Sequence, residues 1–590
     1  MSLRTLYDEA SLWMTPSGYE DGKLFSELPT DGSGDFTFSR GSNLAATRVG
    51  PTGLIEKGRE NLIPQSNQFD TTWATIDSNV TSGQSGYDGS SNAWELDAPT
   101  AGGRLYQSIS FSGVHTFSIY AKKGTANGIR VRLQQTSVAN AYIDLRDGSL
   151  FSSSSDIDVG IQDVSNGWYR ITFALNASGV SLILLYPTDG EVSQTTGSIY
   201  IQDAQLEIGL AATDYIESGA TTGKAGLLEN EPRLDYSGGA TCPSLLLEPQ
   251  RTNLFDNSEY IEGWSTSNTG ATIEENAATS PEGVVNAAKI KEDATNAAHA
   301  VRQLTGPTLT SGTDYTFSFF AKKGERSIVA LSNTIGASND ANCFFDLENG
   351  QVLTNQFNSA SIEDFGNGWY RCIATDTADA ADDYDTRIYT ATADNQFSHQ
   401  GVSGNGLYIY GLQLEQGSYK TSYIPTYGSS VTRSVDTFKV TGISDLIDTQ
   451  GGVMLLETKA LDRNQGYSGV SLSDDTFTNN AQIRYGSATD QVQIQYRVGS
   501  SNECLASNSE NDITNNLKIA FKYESNSFKM FVNGVLKGTD TSGLVNAANT
   551  FDTIKSDRGD GNDKYLGRIK QLVVFPTALT DSECIKLTTI

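Results

Sequence analysis

Histidine is nearly missing from this chain. Only His115, His299 and His399 occur in 590 residues, and none is paired at ligand spacing, so His-based metal or triad chemistry has little to work with. Cysteine is also sparse. Cys242, Cys343, Cys372, Cys504 and Cys584 are odd in number and lack C-x-x-C spacing, which argues against a zinc site or a disulfide framework. Free thiols made in a reducing compartment are the expectation. Long apolar runs are absent too: the longest, Leu182–Tyr186, is strand-sized, against the ~18 residues a membrane span requires. Met1–Ala10 has no basic region followed by an apolar core, so no secretory signal is expected. Basic charge is in deficit, with 41 Lys+Arg against 70 Asp+Glu and a formal charge of −29. A phosphate backbone is held by Lys/Arg stripes, so nucleic acid is not an expected partner. The same charge makes capture of polyanionic surfaces by bulk attraction improbable and suits a solvent-washed component that does not self-associate indiscriminately.

What is present is repetition. His115-Thr-Phe-Ser-Ile-Tyr-Ala-Lys-Lys-Gly124 returns as Tyr315-Thr-Phe-Ser-Phe-Phe-Ala-Lys-Lys-Gly324. Asn166-Gly-Trp-Tyr-Arg170 returns as Asn367-Gly-Trp-Tyr-Arg371, and Ile199-Tyr-Ile-Gln-Asp-Ala-Gln-Leu-Glu207 as Leu407-Tyr-Ile-Tyr-Gly-Leu-Gln-Leu-Glu415. Asn61-Leu62 and Trp73 are answered by Asn253-Leu254 and Trp264. The offset grows from 191 to 208 residues along the module, which reads as loop insertions around a fixed strand set.

Thr116–Ala121 and Thr316–Ala321 alternate with the period of strands that have one face on a core. Turn residues cluster between such runs, as at Arg146-Asp-Gly and Glu348-Asn-Gly, and this spacing fits a two-sheet sandwich or jelly roll. The fold class is therefore read as all-β, with tandem β-sandwich or jelly-roll domains. The divisions are 1–58 (N-terminal segment), 59–218 (first copy), 219–244 (connector), 245–430 (second copy) and 431–590 (a third sandwich). In the last, Val453–Thr458, Ala481–Tyr485, Gln491–Arg497, Leu517–Tyr523 and Ser527–Val532 read as strands, with Asn533-Gly534 a tight turn. Thr580–Leu587 reads as a short helix with a capping box from Thr580 to Glu583.

Leu517-Lys-Ile-Ala-Phe-Lys-Tyr523, Phe528-Lys-Met-Phe-Val-Asn-Gly-Val535 and Leu566-Gly-Arg-Ile-Lys-Gln-Leu-Val-Val-Phe575, closed by Ala578-Leu-Thr-Asp-Ser-Glu583, resemble the concanavalin A-like, laminin-G-type sandwich. The remainder resembles bacteriophage virion proteins of the tail-fibre and receptor-binding kind. The residues that carry this are Phe36-Thr-Phe-Ser-Arg-Gly-Ser-Asn-Leu-Ala-Ala-Thr-Arg48 with Gly53-Leu-Ile-Glu56, and Pro232-Arg-Leu-Asp-Tyr236 followed by Leu245-Leu-Leu-Glu-Pro-Gln-Arg-Thr-Asn-Leu254. Gln413-Leu-Glu-Gln-Gly417 and Thr421-Ser-Tyr-Ile-Pro-Thr426 look like the exit of a carbohydrate-binding-module-like sandwich. The resemblance implies a particle-borne, sugar-facing protein.

Trp168 and Trp369, each followed by Tyr and Arg, are candidate sugar-stacking residues, because a flat ring suits a pyranose face and a guanidinium can bond hydroxyls. Their recurrence in both copies favours a fold-defining role instead. Trp94 is a candidate because the second copy has Ala288 there, but it shares strand parity with Leu96, which favours core packing. Glu207 and Glu415 are candidates for a structural Ca²⁺, against the reading that they satisfy crossing backbone. Asp557, Asp560 and Asp563 concentrate oxygen ligands in a Gly-rich loop without EF-hand spacing, so a solvated acidic turn competes with Ca²⁺ there. No catalytic residues emerge, since paired carboxylates on one strand, a G-x-S-x-G elbow, H-E-x-x-H and a P-loop are all missing.

The expected function is a virion structural protein, a tail-fibre or tip component that binds host cell-surface glycan through sandwich loops. A purely structural baseplate, collar or head-decoration role is the alternative, and a polysaccharide depolymerase is the remote one. The expected location is the particle exterior, with the N-terminal region docked to other virion proteins through Leu12-Trp-Met14 and Leu24-Phe25. A homo-oligomer, a trimer by preference, completes the expectation, with no nucleic acid and no membrane insertion.

Overall fold

In the computed structural model the described residues are 3–42, 44–135, 138–264, 267–303, 306–333, 341–379 and 385–590. Strand is the dominant regular structure, with short α-helices at Leu3–Tyr7, Ile261–Trp264 and Asp581–Thr588 and a 3-10 turn at Ser444–Leu446 among the described residues. The two repeats share one architecture. In the second copy one six-stranded layer runs Ala271–Thr279, Val285–Glu292, Gly406–Gln416, Asp314–Lys323, Trp369–Thr377, Ser359–Asp364. The other runs Gln351–Asn355, Ala341–Asp346, Ile328–Asn333, Thr386–Ala391, Asn296–Gln303, Ser398–Gln400. The first copy has the same neighbours except at one edge, where Ala74–Ile76 takes the place of Ser398–Gln400, and its strands Arg104–Lys123 and Trp168–Thr188 continue from one layer into the other and join the whole as a ten-stranded sheet. Register shifts between Ser108 and Gly113 mark where Arg104–Lys123 turns the corner, as bulges do at sandwich edges.

Register is conserved between the copies despite the drifting offset. Thr116 and Ser118 lie opposite Glu207 and Gln205, and Thr316 and Ser318 opposite Glu415 and Gln413. Alternation then sends Phe117, Ile119 and Ala121 into the first core, and Phe317, Phe319 and Ala321 into the second, as the period-2 pattern requires.

The third sandwich is not confined to residues 431–590. A single hydrogen-bonded path of strands curls around its core and includes Leu12–Glu20, Lys23–Leu28 and Phe36–Ser39 from the N-terminal segment. Leu12, Trp13 and Met14 pair with Val574, Val573 and Leu572. From the connector, Leu245–Leu247 pairs with the lower end of the same strand, at Ile569–Gly567. Leu12, Met14 and Leu24 are fully buried in the core with Met454 and Leu572, Trp13 stacks on Tyr7, and only Phe25 projects, at 38% exposure. This corrects the expectation that these residues are anchors for another virion protein: their apolar stripe is spent inside this chain. Within 431–590 the expected strands are present, Asn533 and Gly534 both take positive φ as a tight hairpin turn demands, and Thr580 and Glu583 form the reciprocal capping box.

Candidate ligand-binding cleft

The tryptophans lie inside the fold. Trp94 packs in the first core, edge-on to Phe69, with its indole N–H donated to the Asn67 carbonyl at 2.9 Å. Trp168 and Trp369 lie opposite Lys122 and Lys322, on the outward face of their sheets, yet both are covered. Tyr87, stacked on Tyr120 at 3.7 Å, closes over Trp168. Ile55 from the N-terminal segment, with Tyr410 and Tyr423, closes over Trp369, whose N–H reaches the Thr279 carbonyl. None of the three offers a ring face to solvent, so the stacking role is withdrawn in favour of the packing role.

The candidate metal ligands are likewise engaged. Glu207 accepts hydrogen bonds from Gln205 Nε2 and from the Thr213 N–H and hydroxyl, while Gln205 Oε1 accepts the Ile216 N–H. Glu415, Gln413, Thr421 and Ile424 repeat that set. Asn61 and Asn253 complete the staple, each bridging the backbone of its own module's entry and exit. These carboxylates close a loop, and their oxygens are already satisfied. In the acidic turn, Asp557 accepts the Gly559 and Gly561 N–H groups. Arg558 grips Asp560 through two bonds at 2.9 and 3.0 Å, holding its carboxyl well below the usual range, and reaches Asp563 at 3.3 Å. Arg558 and the turn's own N–H groups occupy these carboxylates, which corrects the Ca²⁺ expectation in favour of an acidic turn held by its own hydrogen bonds.

The signature motifs of the sequence converge elsewhere. Arg40, Arg233 and Arg433, all essentially inaccessible, surround Glu248 and Asp436. Ser422 donates its N–H and hydroxyl to Glu248, and Glu248 N–H binds Asp436. Burial alone would raise the Glu248 pKa, but Arg433 and Arg233 hold it well below the ordinary carboxylate value. Burial pushes Arg40 down to about 10, so it remains charged at neutral pH. This hub ties the N-terminal segment, the connector, the second copy and the third sandwich together.

Beside the hub opens a cleft of about 910 Å³, within the size range of small-ligand sites, roughly 300–1,000 Å³. Its walls come from the hairpin Thr47–Lys57, the Gly-rich loop after Asp235, the outward face of the second copy, and the outward face of the third sandwich. On the second copy Phe320 lies directly opposite Arg371, and the Arg371 guanidinium crosses that ring at 5.4 Å. Arg371 donates to Ser318 Oγ at 2.9 Å, while its Nε is buried without a partner. Burial lowers the Arg371 pKa, with Glu363 opposing. Facing it, Lys459 lies opposite Arg568 on the neighbouring strand, and Lys570 follows on the same side as Arg568. Six cations and four carboxylates line this one space. The Trp-Tyr-Arg triplet marked the right strand, and parity places Arg371 on the face of Trp369. No local pattern tells that Lys459 and Lys570 stand across from it.

Residues 460–584 match the family model of the concanavalin A-like lectin/glucanases superfamily, and the C-terminal sandwich is a domain of that laminin-G type. The strands from the N-terminal segment and connector that complete its sheet lie outside the matched stretch. Similar solved structures include the CBM40 of Ruminococcus gnavus IT-sialidase bound to α2,3-sialyllactose, 19% identical over 24% of this chain and 83% of that one, at a TM-score of 0.21. The CBM22-1–CBM22-2 tandem of Paenibacillus barcinonensis Xyn10C is 12% identical over 61% and 99%, at 0.19. The LG1–3 region of the laminin α2 chain is 10% identical over 81% and 96%, at 0.18. No curated protein matches the chain.

Proposed function

We propose that this protein is an exterior component of a bacteriophage particle, of the tail-fibre or tip kind, which binds glycan on the host surface without cleaving it. The observation that carries the binding part is the cleft, a concave space with charged side chains on its walls, assembled from four parts of the chain beside a rigid ion-pair hub. A scaffold that fixes side chains from separate units is what a polyhydroxylated ligand requires, because its many hydroxyls gain little unless their partners are held in place. The virion part rests on the sequence signatures around Arg40, Arg233 and Glu248 and on the laminin-G-type domain. Attachment to the particle is assigned to a surface other than Leu12–Met14 and Leu24, and assembly as a homo-oligomer, a trimer by preference, would multiply weak sugar contacts into avidity.

The burial of all three candidate tryptophans favours a second reading, in which the modules act as spacers in a baseplate, collar or head decoration. The full chain on a glycan array and on whole host cells separates the two. Binding to a host-surface glycan with no release of reducing ends is expected. Binding to no such glycan, together with tight binding to another virion protein, would install the structural reading. Released reducing ends would install a depolymerase.

A further inference from the structure

We infer that the cleft between the second copy and the third sandwich selects an acidic saccharide, one whose carboxylate or sulfate oxygens are received by Arg371, Lys459 and Lys570. The inference deepens the glycan-binding reading and rests on it. The charge distribution makes the case. In a chain of net charge −29, a surface concavity should be acidic, and this one carries more cations than carboxylates. Most of the carboxylates are already matched. Asp235 pairs with Arg568, Glu363 with Lys420 at 2.9 Å, and Glu248 with both Arg233 and Arg433. Arg48 is likewise taken, by Glu56 at 2.8 Å.

Arg371, Lys459 and Lys570 are what remain, with no ion pair among the described residues. Arg371 is the telling member. It is 3% exposed, its Nε lacks an acceptor, and a buried guanidinium with an unmet donor is costly unless something completes it. An anionic oxygen arriving in the cleft would supply that acceptor in a low-dielectric wall, where the bond is strongest. The lysines are exposed on the facing sheet, where they can meet the same anion or the next residue of a chain. Half-buried Phe365, edge-on to Phe320 at 4.9 Å, supplies the apolar ring a sugar face prefers. The surrounding acidity then serves selection: a polyanion is repelled from the general surface and accepted only where its charge fits.

The test uses the full chain and three probes of equal length, an oligogalacturonate, a sulfated galactose oligomer and the neutral galactose oligomer, titrated calorimetrically at low and high salt. One of the two acidic probes is expected to bind at least about tenfold tighter than the neutral one, and to weaken as salt screens the lysines. Which acidic probe binds identifies the anionic group. The K459A/K570A double variant removes only exposed side chains, so its melting should match wild type while acidic-probe affinity falls about tenfold. R371M should abolish that binding. Equal binding of neutral and acidic probes, or unchanged affinity in K459A/K570A, would overturn the inference. So would failure of all three probes. If host cells are still bound in any of these cases, the glycan reading stands and the acidic site falls; if cell binding is lost as well, both fall.

Discussion

Three buried arginines sharing two carboxylates leave little tolerance for removing either acid. Asp436 is contacted by Arg40, Arg233 and the Glu248 N–H at once, so Asp436→Asn strands two guanidiniums away from water. The expected loss is about 3–5 kcal/mol, measured by urea unfolding, as is usual when one member of a buried pair is deleted. The exposed pair Lys323–Glu348 gives the contrast: both side chains are about half solvent-accessible, and Lys323→Ala should change stability by less than ~1 kcal/mol. Glu292 supplies the pH-dependent counterpart. Burial opposes its ionisation, but Arg326, Thr390, His399 and the Val402 N–H hold its pKa down, to about 2 from 4.5. A depressed folded pKa contributes stability above the unfolded value that is lost as pH falls through the folded one. Melting temperature should therefore drop between pH 4.5 and 2. Glu292→Gln should melt lower at neutral pH and converge with wild type at the acid end.

At the level of elements, the strands of both copies and the capped C-terminal helix were legible because each depends on local period and turn chemistry. Asn533-Gly534 and Thr580…Glu583 carry their geometry within a few residues. The partner of Leu12–Glu20 was not legible, since alternation says which face is apolar and nothing about which sheet receives it. That strand lies against Leu572–Val574, more than 550 residues away. The cleft was opaque for the same reason, because Arg371 and Lys570 meet only through tertiary placement. Removing residues 1–40 should leave the strand Gly567–Phe575 without its upper neighbour and uncover Met454 and Leu572 beneath it. A hydrophobic edge of that kind invites aggregation. Residues 431–590 alone should therefore elute as aggregates or unfold without cooperativity, and adding a peptide spanning 9–40 should restore a sharp transition. A cooperative, monomeric 431–590 would show that the N-terminal strands are dispensable.

For the whole molecule, the question is whether three sandwiches behave as beads or as one body. Two polar clusters argue for one body. The arginine hub joins the second copy to the third sandwich. Lys57, at the end of the N-terminal segment, contacts Glu259 at 2.7 Å, Glu282 at 2.5 Å and the Tyr427 hydroxyl, and Arg59, the first residue of the first copy, reaches Glu282 at 2.7 Å, so the start of the first copy is tied to the second. The Tyr410 hydroxyl lies within hydrogen-bonding distance of both carboxylates, 2.5 Å from Glu282 and 2.9 Å from Glu259, and Tyr423 donates to Glu259. Burial alone would raise the Glu282 pKa, yet Lys57 and Arg59 hold it below the ordinary value. Tyr260 adds an apolar contact to Val114, Ala174 and Leu210 across the same boundary. Scanning calorimetry of the full chain should therefore give a single transition. Lys57→Met leaves Glu259 and Glu282, both in the second copy, buried with Arg59 as their remaining cation, and the uncompensated charge weakens the boundary that Lys57 and Arg59 close. The endotherm should split, with one component several degrees below the wild-type peak, and binding at the cleft should survive because the Lys57 side chain does not line it, although other residues of its hairpin do. Two resolved transitions already in the wild type would mean that the first copy folds and moves independently of the rest.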